Sequence, residues 1–187
     1  SNNSVRAMQE VADENFTLEA RFLSLPTQRY QMQGFLIEAD PDNWLRFDIY
    51  SDGARLYAFG ASTVNGASSQ AFRSGIGEGT AAYLRLTRSG DVFTFAYSED
   101  GETWVTAGSL SRAMVVAQSG VFAASAGGAG GFEARVDYVQ IDSDPIQSED
   151  GVTAPPDAVD DAFSTPADAA LVLSLADLTA NDVEPDG

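Results

Sequence analysis

The sequence predicts an all-β chain whose main body is an antiparallel β-sandwich or jelly roll, and three observations carry that prediction. Short segments either alternate apolar and polar residues or run apolar for a few positions, the marks of half-buried and fully buried strands. Turn-forming triplets stand between them, namely Ser51-Asp-Gly53, Ser89-Gly90-Asp91 and Glu99-Asp100-Gly101. No segment keeps a helical period for long enough to compete. Many short strands at this spacing build sandwiches and jelly rolls.

The elements follow in order. Residues 5–14 could hold a short helical piece. Residues 16–22 alternate, with Phe16, Leu18 and Phe22 on one side, whereas 32–39 is an apolar run with both faces covered. Residues 43–50 alternate again, and strands are expected at 55–61, 82–88, 92–97, 103–107, 120–126 and 132–141. The Ser- and Gly-rich stretch 62–79 reads as a long surface loop. Gly127-Gly128-Ala-Gly130-Gly131 lies between two strands without the lysine or helix of a phosphate cradle, and reads as a flexible connection. The expected core is Phe16, Leu18, Phe22, Leu45, Phe47, Ile49, Leu84, Leu86, Phe93, Phe95 and Phe132.

Composition narrows the chemistry. The 187 residues include no Cys and no His, and all ten basic residues are Arg. That removes disulfides, thiol chemistry and the commonest general base. A net charge of −18 repels phosphate backbones and argues against nucleic acid. No apolar run is long enough to cross a bilayer, so membrane insertion is not expected. Beyond Arg135 there is no basic residue, and thirteen acids follow. Such a tail reads as a solvated linker or as a source of hard oxygen ligands for calcium.

The C-terminal stretch carries a resemblance. Asp160, Asp161 and Phe163, the apolar 171–173 and the run Ala180-Asn-Asp-Val-Glu-Pro-Asp-Gly187 resemble the opening of cadherin-like, immunoglobulin-type repeats of large bacterial surface and secreted proteins. The resemblance implies a piece of a longer, exported, multidomain protein, secreted or at the cell surface, with flanking repeat modules as partners. It also implies calcium, since Asp160, Asp161, Asp182, Glu184 and Asp186 resemble the acids with which such repeats hold it at module boundaries. The expected organisation is a sandwich at 1–142, an acidic, Pro-containing linker at 143–156 and the start of a repeat at 157–187.

Upstream, a second resemblance appears. Tyr30-Gln-Met-Gln-Gly-Phe-Leu-Ile37, Asp42-Asn-Trp-Leu-Arg-Phe47, Tyr83 to Phe95, Ser98-Glu-Asp-Gly-Glu-Thr-Trp104, Gly120-Val-Phe-Ala-Ala124 and residues 132–141 are similar in order and spacing to the concanavalin A-like lectin/glucanase superfamily. The nearest kind is its non-catalytic jelly-roll modules. The likeness spans most of residues 10–142, and it implies that a further strand precedes residue 1. It is specific for fold and much less so for ligand.

The candidate site comes from alternation. In 43–50, Trp44, Arg46, Asp48 and Tyr50 share the side opposite Leu45, Phe47 and Ile49. Tyr57 and Phe59 lie opposite Leu56 and Ala58, while Tyr83 and Arg85 lie opposite Leu84 and Leu86. Rings interleaved with Arg and Asp suit a sugar, which needs a flat apolar surface and planar polar groups. Trp44, Arg46, Asp48, Tyr57, Tyr83 and Arg85 are therefore the candidate carbohydrate-binding residues. The bland alternative is a solvated face whose charge and ring pairs support one another across strands. Ser98-Glu-Asp-Gly-Glu-Thr-Trp104 reads as a hairpin in which Ser98 and Asp100 bond the backbone. Glucanases sharing the fold need carboxylates about 5 Å apart in one cleft, and no strand here alternates them, so no enzyme activity is expected. The expectation is a lectin-like module binding a glycan or polysaccharide. The alternatives are a ligand-free structural spacer and an accessory domain of a secreted glycoside hydrolase.

Overall fold

The protein is described here from a computed structural model covering residues 4–77, 81–126 and 131–143. Among the described residues there are strands and turns and no helix. The strands are β1 (Val5–Glu10), β2 (Phe16–Phe22), β3 (Gln31–Asp40), β4 (Asn43–Ser51), β5 (Leu56–Val64), β6 (Ala67–Gly75), β7 (Tyr83–Ser89), β8 (Val92–Ser98), β9 (Val105–Ser111), β10 (Gln118–Ser125) and β11 (Val136–Ile141).

They form two antiparallel sheets. The front sheet has six strands in the order β1-β10-β3-β4-β5-β6, and the back sheet has five in the order β11-β2-β7-β8-β9. Alternation decides which side of each strand meets the other sheet. In β2, Phe16, Leu18, Ala20 and Phe22 are buried while Thr17, Glu19 and Arg21 are half-buried. Leu45, Phe47 and Ile49 of β4 face Leu84 and Leu86 of β7 and Phe93 and Phe95 of β8 across the interior, all fully buried. The reverse register would bury Arg85 and Arg46 together, at several kcal/mol per uncompensated ion.

Aromatic rings fill the middle. Phe47 lies 5.9 Å from Phe95 and 6.3 Å from Phe93, and Phe35 meets Phe95 edge-on at 6.3 Å. At one margin Phe72 of β6 wedges between the sheets. It occupies the space a side chain would need at Gly60 and Gly108, where an added Cβ would stand within 2.8 Å of its ring. Ser74 Oγ donates to the Ala107 carbonyl at 2.8 Å across the same margin. Arg112, just past β9, donates to the Thr63 carbonyl at 2.6 Å, the Trp44 carbonyl at 3.3 Å and Asn43 Oδ1 at 3.0 Å.

Strand β3 is covered on both faces from Gln31 to Glu38. Phe35 and Ile37 point inward, while Met32 and Leu36 join Phe122, with Met8, Trp44, Tyr50 and Ala124, in a second apolar cluster on the outer side of the front sheet.

Several expectations are corrected. Residues 5–10 are an edge strand paired to β10, not a helical piece, because β10 offers an open ladder and Arg6 reaches Glu38 over it. The expected long loop at 62–79 contains the end of β5 and all of β6, joined by a tight turn in which Asn65 and Gly66 take φ of 49° and 79°. Those are the left-handed conformations that an Asn-Gly hairpin turn requires. Strand β9 runs 105–111 rather than 103–107 because Glu102 and Thr103 belong to the preceding turn. Phe132 is half-buried outside the core, since β11 starts only at Val136. The linker and the C-terminal repeat lie outside the described residues.

Candidate functional site

The outer side of the front sheet is the face that gathers chemistry. Register places Trp44, Arg46, Asp48 and Tyr50 of β4 between Glu38, Leu36, Gly34 and Met32 of β3 and Thr63, Ala61, Phe59 and Tyr57 of β5. Asp48 and Arg46 are two apart on one strand, hence on the same face. The Arg46 side chain folds along the strand so that Nε stands 2.8 Å from Asp48 Oδ2. Its guanidinium then lies 4.7 Å over the Phe59 ring.

Asp48 is fully buried although it sits on an outer face. The neighbouring position across the ladder is Gly34, and an added Cβ there would stand 2.6 Å from Asp48 Cα. Strand β3 is thus pressed against Asp48, with Arg46 and Phe59 as its other neighbours. Neither carboxylate oxygen receives a hydrogen bond from a described residue, and Arg46 alone counters the charge.

Burial pushes the Asp48 carboxyl up from 3.8 to about 6, against the opposing pull of Arg46. An acid held above its unfolded value takes up protons on folding. Its contribution to stability is full below pH 3.8 and is lost as pH rises through about 6. The lost contribution is on the order of 3 kcal/mol, at about 1.4 kcal/mol per unit. Asp48→Asn cannot ionise, so it should gain on the wild type by ~2–3 kcal/mol between about pH 4 and pH 8. Urea unfolding across that range checks this, and a difference independent of pH would contradict it.

Beside this pair stands an aromatic cluster. Tyr50 stacks on Tyr57 at 5.4 Å and meets Phe59 edge-on at 5.8 Å. Arg73 of β6 lies 3.6 Å over the Tyr57 ring and donates to the Tyr50 hydroxyl. Its nearest acid, Asp52, is 4.0 Å away. The Asp52 carboxyl is held below its usual value by the backbone N–H groups of Ala54 and Arg55. Toward the other end of the strands the face turns acidic. An open groove of about 580 Å³ is bordered there by Glu10, Glu38, Asp40, Gln118 and Arg6.

Four of the six candidate residues therefore share one face: Trp44, Arg46, Asp48 and Tyr57. Tyr83 and Arg85 do not join them. They belong to β7 and stand on the outer side of the back sheet, across the sandwich. Alternation tells which side of its own strand a residue takes, but not which sheet owns the strand. On the back face, Arg85 donates to Glu19 Oε2 from Nε at 2.9 Å and Nη2 at 2.6 Å. Tyr138 donates to Glu19 Oε1 at 2.6 Å. The Arg85 guanidinium lies 3.7 Å over Trp104, and burial, with the Glu19 bond, pushes the Tyr138 hydroxyl up to about 12. Both Glu19 oxygens are committed, so this network closes on itself.

The Ser98–Trp104 turn does the structural work read from its residues. Asp100 Oδ1 accepts from the backbone N–H of Thr103 at 2.7 Å and of Glu102 at 2.8 Å, which holds its carboxyl down to about 2. Gly101, at φ 81°, lets the chain fold back. The five acids expected to hold calcium lie outside the described residues, among which no group of three or more potential ligands is placed to bind a metal ion.

Reading residues alone missed Tyr50, Phe59 and Arg73 as members of the site. The first two were visible in the same alternation. Arg73 was hidden by the loop reading of its strand, and Asn65-Gly66 was the signal that could have revealed it.

The class that emerges is an antiparallel β-sandwich with an aromatic and arginine-bearing outer face on its larger sheet. The chain belongs to the family described as Protein of unknown function (DUF1349), whose pattern matches residues 1–144. No curated protein matches it in sequence. Among solved structures, a functionally unknown protein from Saccharomyces cerevisiae shares 20% identity at a TM-score of 0.53, over 65% of each chain. A mutant of the GH43 protein BlXynB from Bacillus licheniformis shares 16% at 0.62, over 75% of this chain and 29% of that one. The CBM2 module of the evolved Dit of Lactobacillus casei BL23 phage J-1 shares 10% at 0.53, over 72% and 66%. At these identities the likeness is one of fold. The chain spans less than two thirds of the yeast protein and of the Bacillus protein.

Proposed function

We propose that the sandwich is a non-catalytic carbohydrate-binding module of an exported multidomain protein, and that its front face receives the glycan. The observation that carries this reading is the grouping of Trp44, Tyr50, Tyr57 and Phe59 with Arg46 and Arg73 on one outer face. Rings supply flat apolar area for the C–H side of a sugar, and guanidinium forks supply fixed donors to its oxygens. The fold likeness to a GH43 protein and to a CBM2 module supports a carbohydrate setting. The match to under a third of the GH43 chain also favours a second reading, an accessory domain of a secreted glycoside hydrolase.

The test is retention on immobilised xylan, cellulose, dextran and pectin, with affinities measured by calorimetry. Trp44→Ala and Tyr57→Ala should each weaken binding to any retained glycan by about tenfold, ~1.4 kcal/mol, with thermal unfolding unchanged within a few degrees. If both variants bind as the wild type does, the front face is not the site. If the wild type retains on nothing, the spacer alternative replaces the proposal.

A further inference from the structure

Away from its acidic end the front face presents two guanidiniums beside its rings, and this bears on which sugar it takes. Arg46 stands with Nε 2.8 Å from Asp48 Oδ2, and about a quarter of its side chain remains exposed, 26%, so part of the guanidinium reaches the surface. Arg73 spends one donor on Tyr50 and keeps no acid closer than 4.0 Å. Most acceptors beside the two arginines are engaged. Asp48 exposes neither oxygen, Asp52 gives Oδ1 to the backbone N–H groups of Ala54 and Arg55 and turns Oδ2 toward Arg73 at 4.0 Å, and the Tyr50 hydroxyl already accepts from Arg73. Phe59 and Tyr57 are two apart on β5, so the guanidiniums above them are on the order of 7 Å apart along the strand.

A neutral sugar presents hydroxyls that must both donate and accept. A carboxylate only accepts, and a planar guanidinium edge matches it in bidentate fashion. Resting on the reading of this face as a glycan site, we infer that its ligand is an acidic polysaccharide whose uronate carboxylates seat against Arg46 and Arg73.

Charge along the face agrees. Glu10, Glu38 and Asp40 gather at the end of the face where Glu38 pairs with Trp44, and Arg6 answers Glu38 there. Along the strands Arg46 stands two residues from the Glu38–Trp44 pair, about 7 Å at strand rise, and Arg73, level with Asp48 and Phe59, stands about 13 Å from it. Residues 1–143 carry seventeen acids against ten Arg, but at physiological salt charges beyond about 8 Å are largely screened. A carboxylate on this face is therefore met chiefly by Arg46 and Arg73, with Asp48 and Asp52 as their own nearest anions.

The proposal has a pH signature. The charged and titratable groups facing Asp48 are Arg46 and Tyr50 on its own strand, Tyr57 on β5 and Arg73 on β6, while β3 and β10 place Gly34 and Phe122 beside it. Protonating Asp48 leaves Arg46 without its anion, so an acidic ligand should bind more tightly at about pH 5 than at pH 8.

The experiment compares tetragalacturonate, its methyl ester, and neutral xylotetraose and cellotetraose by calorimetry with the whole chain. Expected is binding of tetragalacturonate that falls at least tenfold on esterification, weakens with salt and strengthens between pH 8 and pH 5. Arg73→Met, at an exposed position, should lower tetragalacturonate binding about tenfold. Arg46→Lys, which keeps the charge and loses the fork, should also lower it while the domain stays folded. Neutral and acidic tetrasaccharides bound equally, with Arg73→Met indifferent, would overturn the acidic ligand while leaving a glycan module in place. Retention of the neutral ones alone would do the same. Binding of none would remove both.

Discussion

Replacing Arg46 with Met is expected to cost only about 1 kcal/mol at pH 7 but about 4 kcal/mol at pH 9. Breaking a buried ion pair by deleting one partner generally costs 3–5 kcal/mol, yet Asp48 has an escape. It can take up a proton, and the cost of doing so grows by about 1.4 kcal/mol for each unit between its unfolded value and the ambient pH. Its carboxyl already stands at about 6 in the intact pair. Near neutrality the variant therefore needs to climb only about one unit further before the charge is gone. At pH 9 the climb is three units, and the full penalty appears. The chain has no His, Cys or Lys, so little else titrates in that interval. Urea unfolding of both proteins at pH 6, 7, 8 and 9 should show a gap that widens with pH. A gap of constant size would mean that Arg46 supports the sandwich by packing on Phe59 and not by holding the charge.

A second large effect is expected at Gly34. Valine there would drive its Cβ to 2.6 Å from Asp48 Cα and 2.9 Å from Asp48 Cβ. Part of the obstacle is backbone held in a central ladder between β10 and β4, which cannot step aside. Overpacking a well-ordered interior costs about 1–3 kcal/mol, occasionally more, and a branched residue in this notch belongs at or above the top of that range. Gly34→Val should lower the thermal midpoint by roughly 10 °C or more, at about 3 °C per kcal/mol for a domain of this size. Gly77→Val, at a position with nothing within 4 Å of the added Cβ, serves as the control. Equal midpoints for the two variants would show that β3 and β4 can separate without loss.

How much of this was legible in the residues depends on what kind of fact each one is. Leu45, Phe47, Ile49, Leu84, Leu86, Phe93 and Phe95 could be assigned to the core because burial rewards a period of two and charges on the same strands forbid the other register. Strand β6 could not be read this way. Its Ser-Ser-Gln segment has water on both sides and so carries no alternation to detect, although Asn65-Gly66 marked the turn before it. Strand ownership was equally hidden, which is why Tyr83 and Arg85 were grouped with residues on the opposite face. The burial of Asp48 depends on Gly34 fourteen positions upstream and Phe59 eleven downstream. Only pairing brings those three together, and a local pattern read along one strand naturally places such an acid in solvent.

The meeting of β6 and β9 at one margin has a consequence for assembly. Each is the last strand of its sheet, and an exposed last strand is a template on which another chain can add. Phe72 closes the gap between these two, and Ser74 caps a carbonyl on the β9 backbone. A stray strand approaching that margin finds side chains already in the way. The other two borders are β1 and β11, the first and last of the described strands. Ladder growth is thus steered to β1 and β11, and Arg6 and Glu10 on one and Asp137 on the other place charge there against it.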